Sequence, residues 1–89
     1  MKNIEIAVSV YKQITEGKKK KSIEAMILGH LLKHGPLTPM DAIRQFECTR
    51  LSARIYDLEH KYPIKIKHER ISKGTKSYMR YSLEEDENA

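Results

Sequence analysis

Thr38 to Lys61, T-P-M-D-A-I-R-Q-F-E-C-T-R-L-S-A-R-I-Y-D-L-E-H-K, places two helical patterns on either side of a connection only a few residues long. Thr38 suits an N-cap, Pro39 the first helical position, and Asp41 supplies a carboxylate to the first turn. Ala42, Ile43 and Phe46 form one short apolar face. Glu47 and Cys48 remain as the connection, and Thr49 offers a second N-cap. Leu51, Ile55 and Leu58 then recur at i, i+4 and i+7, the buried stripe of a second helix. Arg50, Arg54, Asp57 and Lys61 repeat at helical spacing as well and are expected on the opposite, outer face.

The flanking segments supply the rest of the core. Ser22 caps a helix running to His34, with Ile23, Met26, Ile27, Leu31 and Leu32 as its buried face, and Gly35-Pro36 ends it. His30 and His34 lie at the i, i+4 spacing that zinc sites use, but no third ligand is suggested nearby, so neither metal nor cofactor is expected. Residues 2–16 admit two readings. Ile4, Ile6, Val8 and Val10 alternate as in a strand, whereas Ile4, Val8, Tyr11 and Ile14 fit a helix with Glu5, Ser9, Lys12, Gln13 and Glu16 outward. The helix is favoured because its pattern continues to Ile14 and stops at Gly17. This element either packs on the core or forms a homodimer contact. The G-K-K-K-K run at 17–21 reads first as a solvated linker, and second as a phosphate-contacting arm.

After Tyr62-Pro63 the periodicity changes to two. Ile64-Lys65-Ile66-Lys67 opens a strand expected to reach about Ile71, Ser72 to Thr75 forms a turn around Gly74, and Lys76 to Leu83 returns. Met79, Tyr81 and Leu83 share one face of the second strand; Tyr78 and Arg80 share the other. Leu37 is placed to add a short third strand. The predicted fold is therefore mainly α with a C-terminal β-hairpin: a winged helix-turn-helix, three core helices plus a wing, with an extra N-terminal element. Residues 1–21 form the N-terminal element and linker, 22–83 the domain, and 84–89 an acidic tail expected to be disordered.

Charge and length narrow the function. Eighty-nine residues suffice for one domain with a modest core. The net charge is +5, but four of the 12 acidic residues lie at 84–87, so residues 1–83 hold all 17 basic groups against eight acidic ones. A body of that composition suits a polyanion. No apolar run approaches the ~18 residues of a membrane span, and no signal peptide is visible. The lone Cys48 cannot form an internal disulfide, which favours a cytoplasmic location. A glycine-rich phosphate loop, a nucleophile elbow and a metal cluster are all missing from the sequence. Asp57 and Glu59 point in divergent directions on a helix, and Cys48 has no adjacent histidine. A non-enzyme is expected.

L-T-P-M-D-A (37–42), R-L-S-A-R-I-Y-D-L (50–58) and Y-P-I-K (62–65) resemble the small winged helix-turn-helix proteins of bacteriophages and prophages. The likeness covers about residues 23–83, with the 50–58 block its most specific part. It implies a DNA-binding module of a phage or mobile element and no particular operator. One departure is that Glu47-Cys48 occupies the turn where older repressor-type motifs carry glycine.

Double-stranded DNA is thus the expected partner. Arg50, Ser52 and Arg54 lie early in the second helix, the part that usually reaches base edges, and arginine pairs with guanine O6 and N7. Thr38 and Thr49 stand at helix starts, where backbone amides hold phosphates. Lys61 is a further expected DNA contact, and the hairpin residues Lys65, Lys67, Arg70, Lys73, Lys76 and Arg80 are expected to track the backbone or enter the minor groove. Arg54 and Lys61 have a structural alternative, ion pairs with Asp57. Tyr56 and Tyr62 are expected to pack at the helix–hairpin junction. Three roles fit this picture. The first is a transcriptional regulator or excisionase-like architectural factor. The second is a winged-helix inhibitor docking on a host enzyme, and the third is a replication or packaging accessory.

Overall fold

The computed structural model describes residues 2–17, 20 and 22–85. Four helices, α1 (Asn3–Thr15), α2 (Ile23–Lys33), α3 (Pro39–Phe46) and α4 (Leu51–Lys61), precede an antiparallel hairpin of β1 (Ile66–Lys73) and β2 (Lys76–Leu83). Side-chain caps set two of the four helix starts. The Ser22 hydroxyl accepts from the Ala25 amide at 3.2 Å. At the start of α3, Thr38 Oγ1 accepts from the Asp41 amide at 3.2 Å, and the Thr38 amide donates back to Asp41 Oδ2 at 3.4 Å. That reciprocal box, with Pro39 in the first turn, satisfies two otherwise orphaned donors. The turn out of α3 has no glycine; Glu47 itself takes the left-handed conformation, φ 54° and ψ 29°. Thr49 does not cap α4. Arg50 holds the cap position without a side-chain bond, because the helix begins one residue later than the threonine requires.

Ile27, Leu28, Leu37, Ile55 and Leu58 are fully buried, each worth roughly 1.5–3 kcal/mol of hydrophobic stabilisation. Of the face expected for α2, Ile27 and Leu31 are buried and Ile23, Met26 and Leu32 half-buried, while Ala25, Leu28, Gly29 and His30 are buried as well, because α2 is central: α1 lies on one side of it, and α3, α4 and β2 pack on others. Leu37 forms the anticipated bridge to the sheet, donating to Tyr81 O at 2.7 Å and accepting from Tyr81 N at 2.8 Å.

The N-terminal segment is a helix, but it is rotated from the expected face. Asn3, Ala7 and Val10 point inward, Tyr11 and Ile14 are half-buried, and Ile4 and Val8 are 48% and 39% exposed. Small residues set the packing. A Cβ on Gly29 of α2 would lie 3.0 Å from the Tyr11 ring, so the two helices meet across a glycine. Asn3 fixes the other end: its Nδ2 donates to Lys65 O (2.9 Å) and Glu84 O (2.8 Å), and its Oδ1 accepts from Lys65 N (2.8 Å).

That latch also explains why β1 starts at Ile66 rather than Ile64. The Lys65 amide is taken by α1, and its carbonyl also accepts from Glu84 N at 3.1 Å. Glu84, assigned to the tail by its composition, is thereby fastened to the root of the hairpin. At the other end Lys73 pairs with Lys76, leaving a two-residue Gly74-Thr75 turn with Gly74 at φ 63° in place of the four-residue turn expected.

Candidate nucleic-acid interface

Burial of Leu51, Ile55 and Leu58 fixes how α4 is rotated about its axis. Directly away from that stripe lie Ala53, Tyr56 and His60, with exposed Ser52 on one shoulder. Arg54 and Lys61 occupy the flank that faces α2. Arg54 is half-buried and borders a groove with Ser22, Ile23, Glu24, Lys61 and Tyr62. Lys61 Nζ lies 3.0 Å from Glu24 Oε1, and this hydrogen bond and its charge raise the Lys61 pKa above the ordinary lysine value. The outer face therefore differs from the one expected. Arg54 and Lys61 are displaced about a quarter-turn from the crest, and the partner of Lys61 is Glu24 on another helix rather than Asp57.

Tyr56 departs further from expectation. It is 60% exposed and stacks on His60, ring centroids 3.8 Å apart and planes inclined by 22°. Its spacing to His60, i and i+4, was legible as a surface pair. Tyr62, by contrast, is half-buried against the core and borders the groove with Ile14 and Ile23.

At the entry to α4, Thr49, Arg50 and Ser52 are all exposed. Arg50 makes no ion pair among the described residues. Thr38 sits differently: half-buried, its hydroxyl caps α3 and the Asp41 carboxylate folds over the same helix end. A negative charge thus stands where a phosphate had been expected.

The hairpin register sorts its basic residues by face. Lys67, Glu69, Ile71 and Lys73 of β1 align with Ser82, Arg80, Tyr78 and Lys76 of β2 on the outer face. Arg70 lies opposite Met79 on the other face, exposed beyond the core, and Lys65 is exposed at the root. Arg80 is engaged: its Nε and a terminal nitrogen approach Glu69 Oε1 at 3.1 and 2.8 Å. The Arg80 guanidinium holds the Glu69 carboxyl below the usual carboxylate range, with Lys67 adding to the effect. Lys73 and Lys76 flank the turn, and residues 70–83 contain no acidic side chain. At the root, His68 Nε2 meets Glu59 Oε1 of α4 at 2.5 Å and the His68 ring stands edge-on to Tyr81 at 5.1 Å. Burial, then the Glu59 charge, raises the Tyr81 phenol.

His30, buried, uses both ring nitrogens inside the fold, Nδ1 at 3.2 Å from Gln45 Oε1 and Nε2 at 3.2 Å from Pro36 O. Among the described residues, no three His, Cys, Asp or Glu side chains gather as metal ligands. None of their helices is long and apolar enough to cross a membrane. Lys18, Lys19 and Lys21 of the basic run, and 86–89 of the tail, lie outside the described residues.

Three core helices, the last exposed along one side and followed by a hairpin, define a winged helix-turn-helix. A family model described as a winged helix-turn-helix domain matches residues 22–86, and the chain belongs to that family. Domains of this kind are typically DNA-binding and non-enzymatic. No curated protein sequence and no solved structure matches the chain significantly.

Proposed function

We propose that this protein binds double-stranded DNA, as a transcriptional regulator or excisionase-like architectural factor of a phage or mobile element. The observation that carries this reading is the distal wing: Arg70, Lys73 and Lys76 have no ion-pair partner among the described residues, and the two lysines are exposed beside the turn. Unpaired cations on a protruding hairpin suit a phosphate backbone. On this reading Lys65, Lys67, Arg70, Lys73 and Lys76 hold phosphates, joined by Arg50 and Thr49 at the start of α4, where Ser52 lies within reach of base edges. Arg54, on the α2-facing flank, meets the backbone rather than a guanine. Lys61 and Arg80 serve mainly through their partners Glu24 and Glu69, and Thr38 acts as a helix cap. The exposed Ile4 and Val8 favour self-association through α1. Light scattering tests that point: a monomer at tens of micromolar excludes it.

The function is tested by fluorescence anisotropy with a random duplex at several salt concentrations. With ~5–7 phosphates neutralised, log K should fall with log salt at a slope of roughly −5 to −6. Binding indifferent to salt would contradict the reading and favour docking on a host protein. For that alternative, Met40 and Ile43 of α3, 56% and 43% exposed, offer an apolar patch.

A further inference from the structure

On the assumption that α4 enters the major groove, we propose that Tyr56 and His60 form its base-reading element. In this arrangement His60 selects a base that carries an exocyclic amine. The imidazole's own hydrogen bond decides its chemistry. His60 Nδ1 lies 2.8 Å from the carbonyl oxygen of Tyr56, one helical turn earlier. A carbonyl only accepts, so Nδ1 must carry the proton; in the neutral ring Nε2 is then an acceptor with its lone pair free. Nε2 has no partner within the described residues.

The ring is also held in place before DNA arrives. The Tyr56 ring stacks on it at 3.8 Å, so a hydrogen bond and a stacking contact fix one orientation and reduce the ordering cost of recognition. Ala53, Tyr56 and His60 follow one another along the crest over about 10 Å of helix, close to the rise of three base pairs. The small Ala53 lets the backbone approach, and the two rings project beyond it.

In the major groove, adenine N6 and cytosine N4 present donors, whereas guanine O6 and N7 and thymine O4 present acceptors. A lone acceptor at Nε2 therefore favours adenine or cytosine at one position and opposes guanine and thymine there. Arginine and lysine, all donor, would choose the reverse. The selectivity thus follows from a tautomer that the helix itself imposes, rather than from the arginines beside it.

Selection from a random duplex library at pH 8, with wild type, His60→Arg, His60→Ala and Tyr56→Phe, tests this. Wild type and Tyr56→Phe should both enrich adenine or cytosine at one shared position. His60→Arg should move that position to guanine, and His60→Ala should flatten it, costing about five- to tenfold for the preferred site and little for random duplex. Circular dichroism should find all variants folded, since both side chains are exposed. An unchanged consensus with His60→Arg overturns the assignment. A wild type that binds duplex without any preference also overturns it while leaving DNA binding intact. A wild type that binds no duplex removes the assumption beneath it.

Discussion

Helix α4 and the β1–β2 hairpin are both polar along their exposed sides, yet their charges are disposed in opposite ways. On α4, Lys61 is drawn to Glu24, Arg54 is half-buried beside α2, and the crest is left to Ala53, Tyr56 and His60. Of the hairpin's lysines and arginines, only Arg80 forms an ion pair among the described residues, and Arg70, Lys73 and Lys76 surround a turn with no carboxylate in it. The crest of α4 presents shaped, oriented hydrogen-bonding groups, and the wing presents point charges on long side chains. The contrast matches two tasks that DNA recognition separates, reading base edges and holding phosphates.

The largest expected effect concerns what fixes the root of the wing. Asn3, buried at 4% exposure, ties α1 to Lys65 and Glu84 at the root of the wing. Asn3→Asp replaces a donor to two carbonyls with an acceptor, and should destabilise the fold by about 2–3 kcal/mol in urea denaturation. If the latch matters as described, amide exchange should accelerate first at residues 65–68 and 82–84. A loss below ~0.5 kcal/mol, less than a typical net hydrogen bond, would mean the wing is held without α1.

Single charges sharpen the comparison next. Lys73→Ala should weaken binding to any duplex by about five- to tenfold at low salt, and Lys61→Ala, already paired, by about twofold or less. Equal losses would erase the distinction between free and engaged cations.

A smaller change lies at the turn that launches α4. Glu47 adopts φ 54°, which costs a non-glycine residue roughly 1–2 kcal/mol, partly offset by the greater unfolded-state freedom of glycine. Glu47→Gly should therefore stabilise by about 0.5–1 kcal/mol in the same denaturation assay. Destabilisation would mean the Glu47 side chain contributes something its backbone strain conceals.

The subtlest effect is electrostatic. Glu69 titrates below the usual carboxylate range because Arg80 is beside it. Its contribution to stability is present above that range and is lost as pH falls through its lowered value. Carboxyl NMR of Arg80→Gln should show Glu69 returning toward ordinary behaviour. An unmoved titration would assign the shift to Lys67 instead.

Much of this architecture was legible in the residues. The stripe Leu51, Ile55, Leu58 and the Thr38-Pro39 start located α3 and α4, and the period-two pattern with Gly74 located the hairpin. The rest depended on contacts between elements distant in sequence. Ile4 and Val8 outweigh Asn3 in any hydropathy pattern of α1, and the reason Asn3 turns inward lies 62 residues away at Lys65. The sequence offers Lys61 a local partner in Asp57, four residues earlier, whereas its actual partner Glu24 is 37 residues distant. For the site, spacing showed that Arg54 leaves the apolar stripe but not that it leaves toward α2. The Tyr56–His60 stack was readable as an i, i+4 pair, but aromatic residues next to a hairpin more often pack beneath it. Helical period ranks faces coarsely, and a quarter-turn separates the exposed crest from the flank that faces α2.

The most direct test of the division between α4 and the wing is a salt titration of binding. It compares wild type with a variant carrying Arg70→Ser, Lys73→Ser and Lys76→Ser, on the selected duplex and on a scrambled one. The variant's slope of log K against log salt should be shallower by about three units on both duplexes, because each phosphate no longer neutralised removes ~0.9 from it. The ratio between the two duplexes should be preserved. An unchanged slope, or a variant that loses its preference for the selected duplex, would contradict the division.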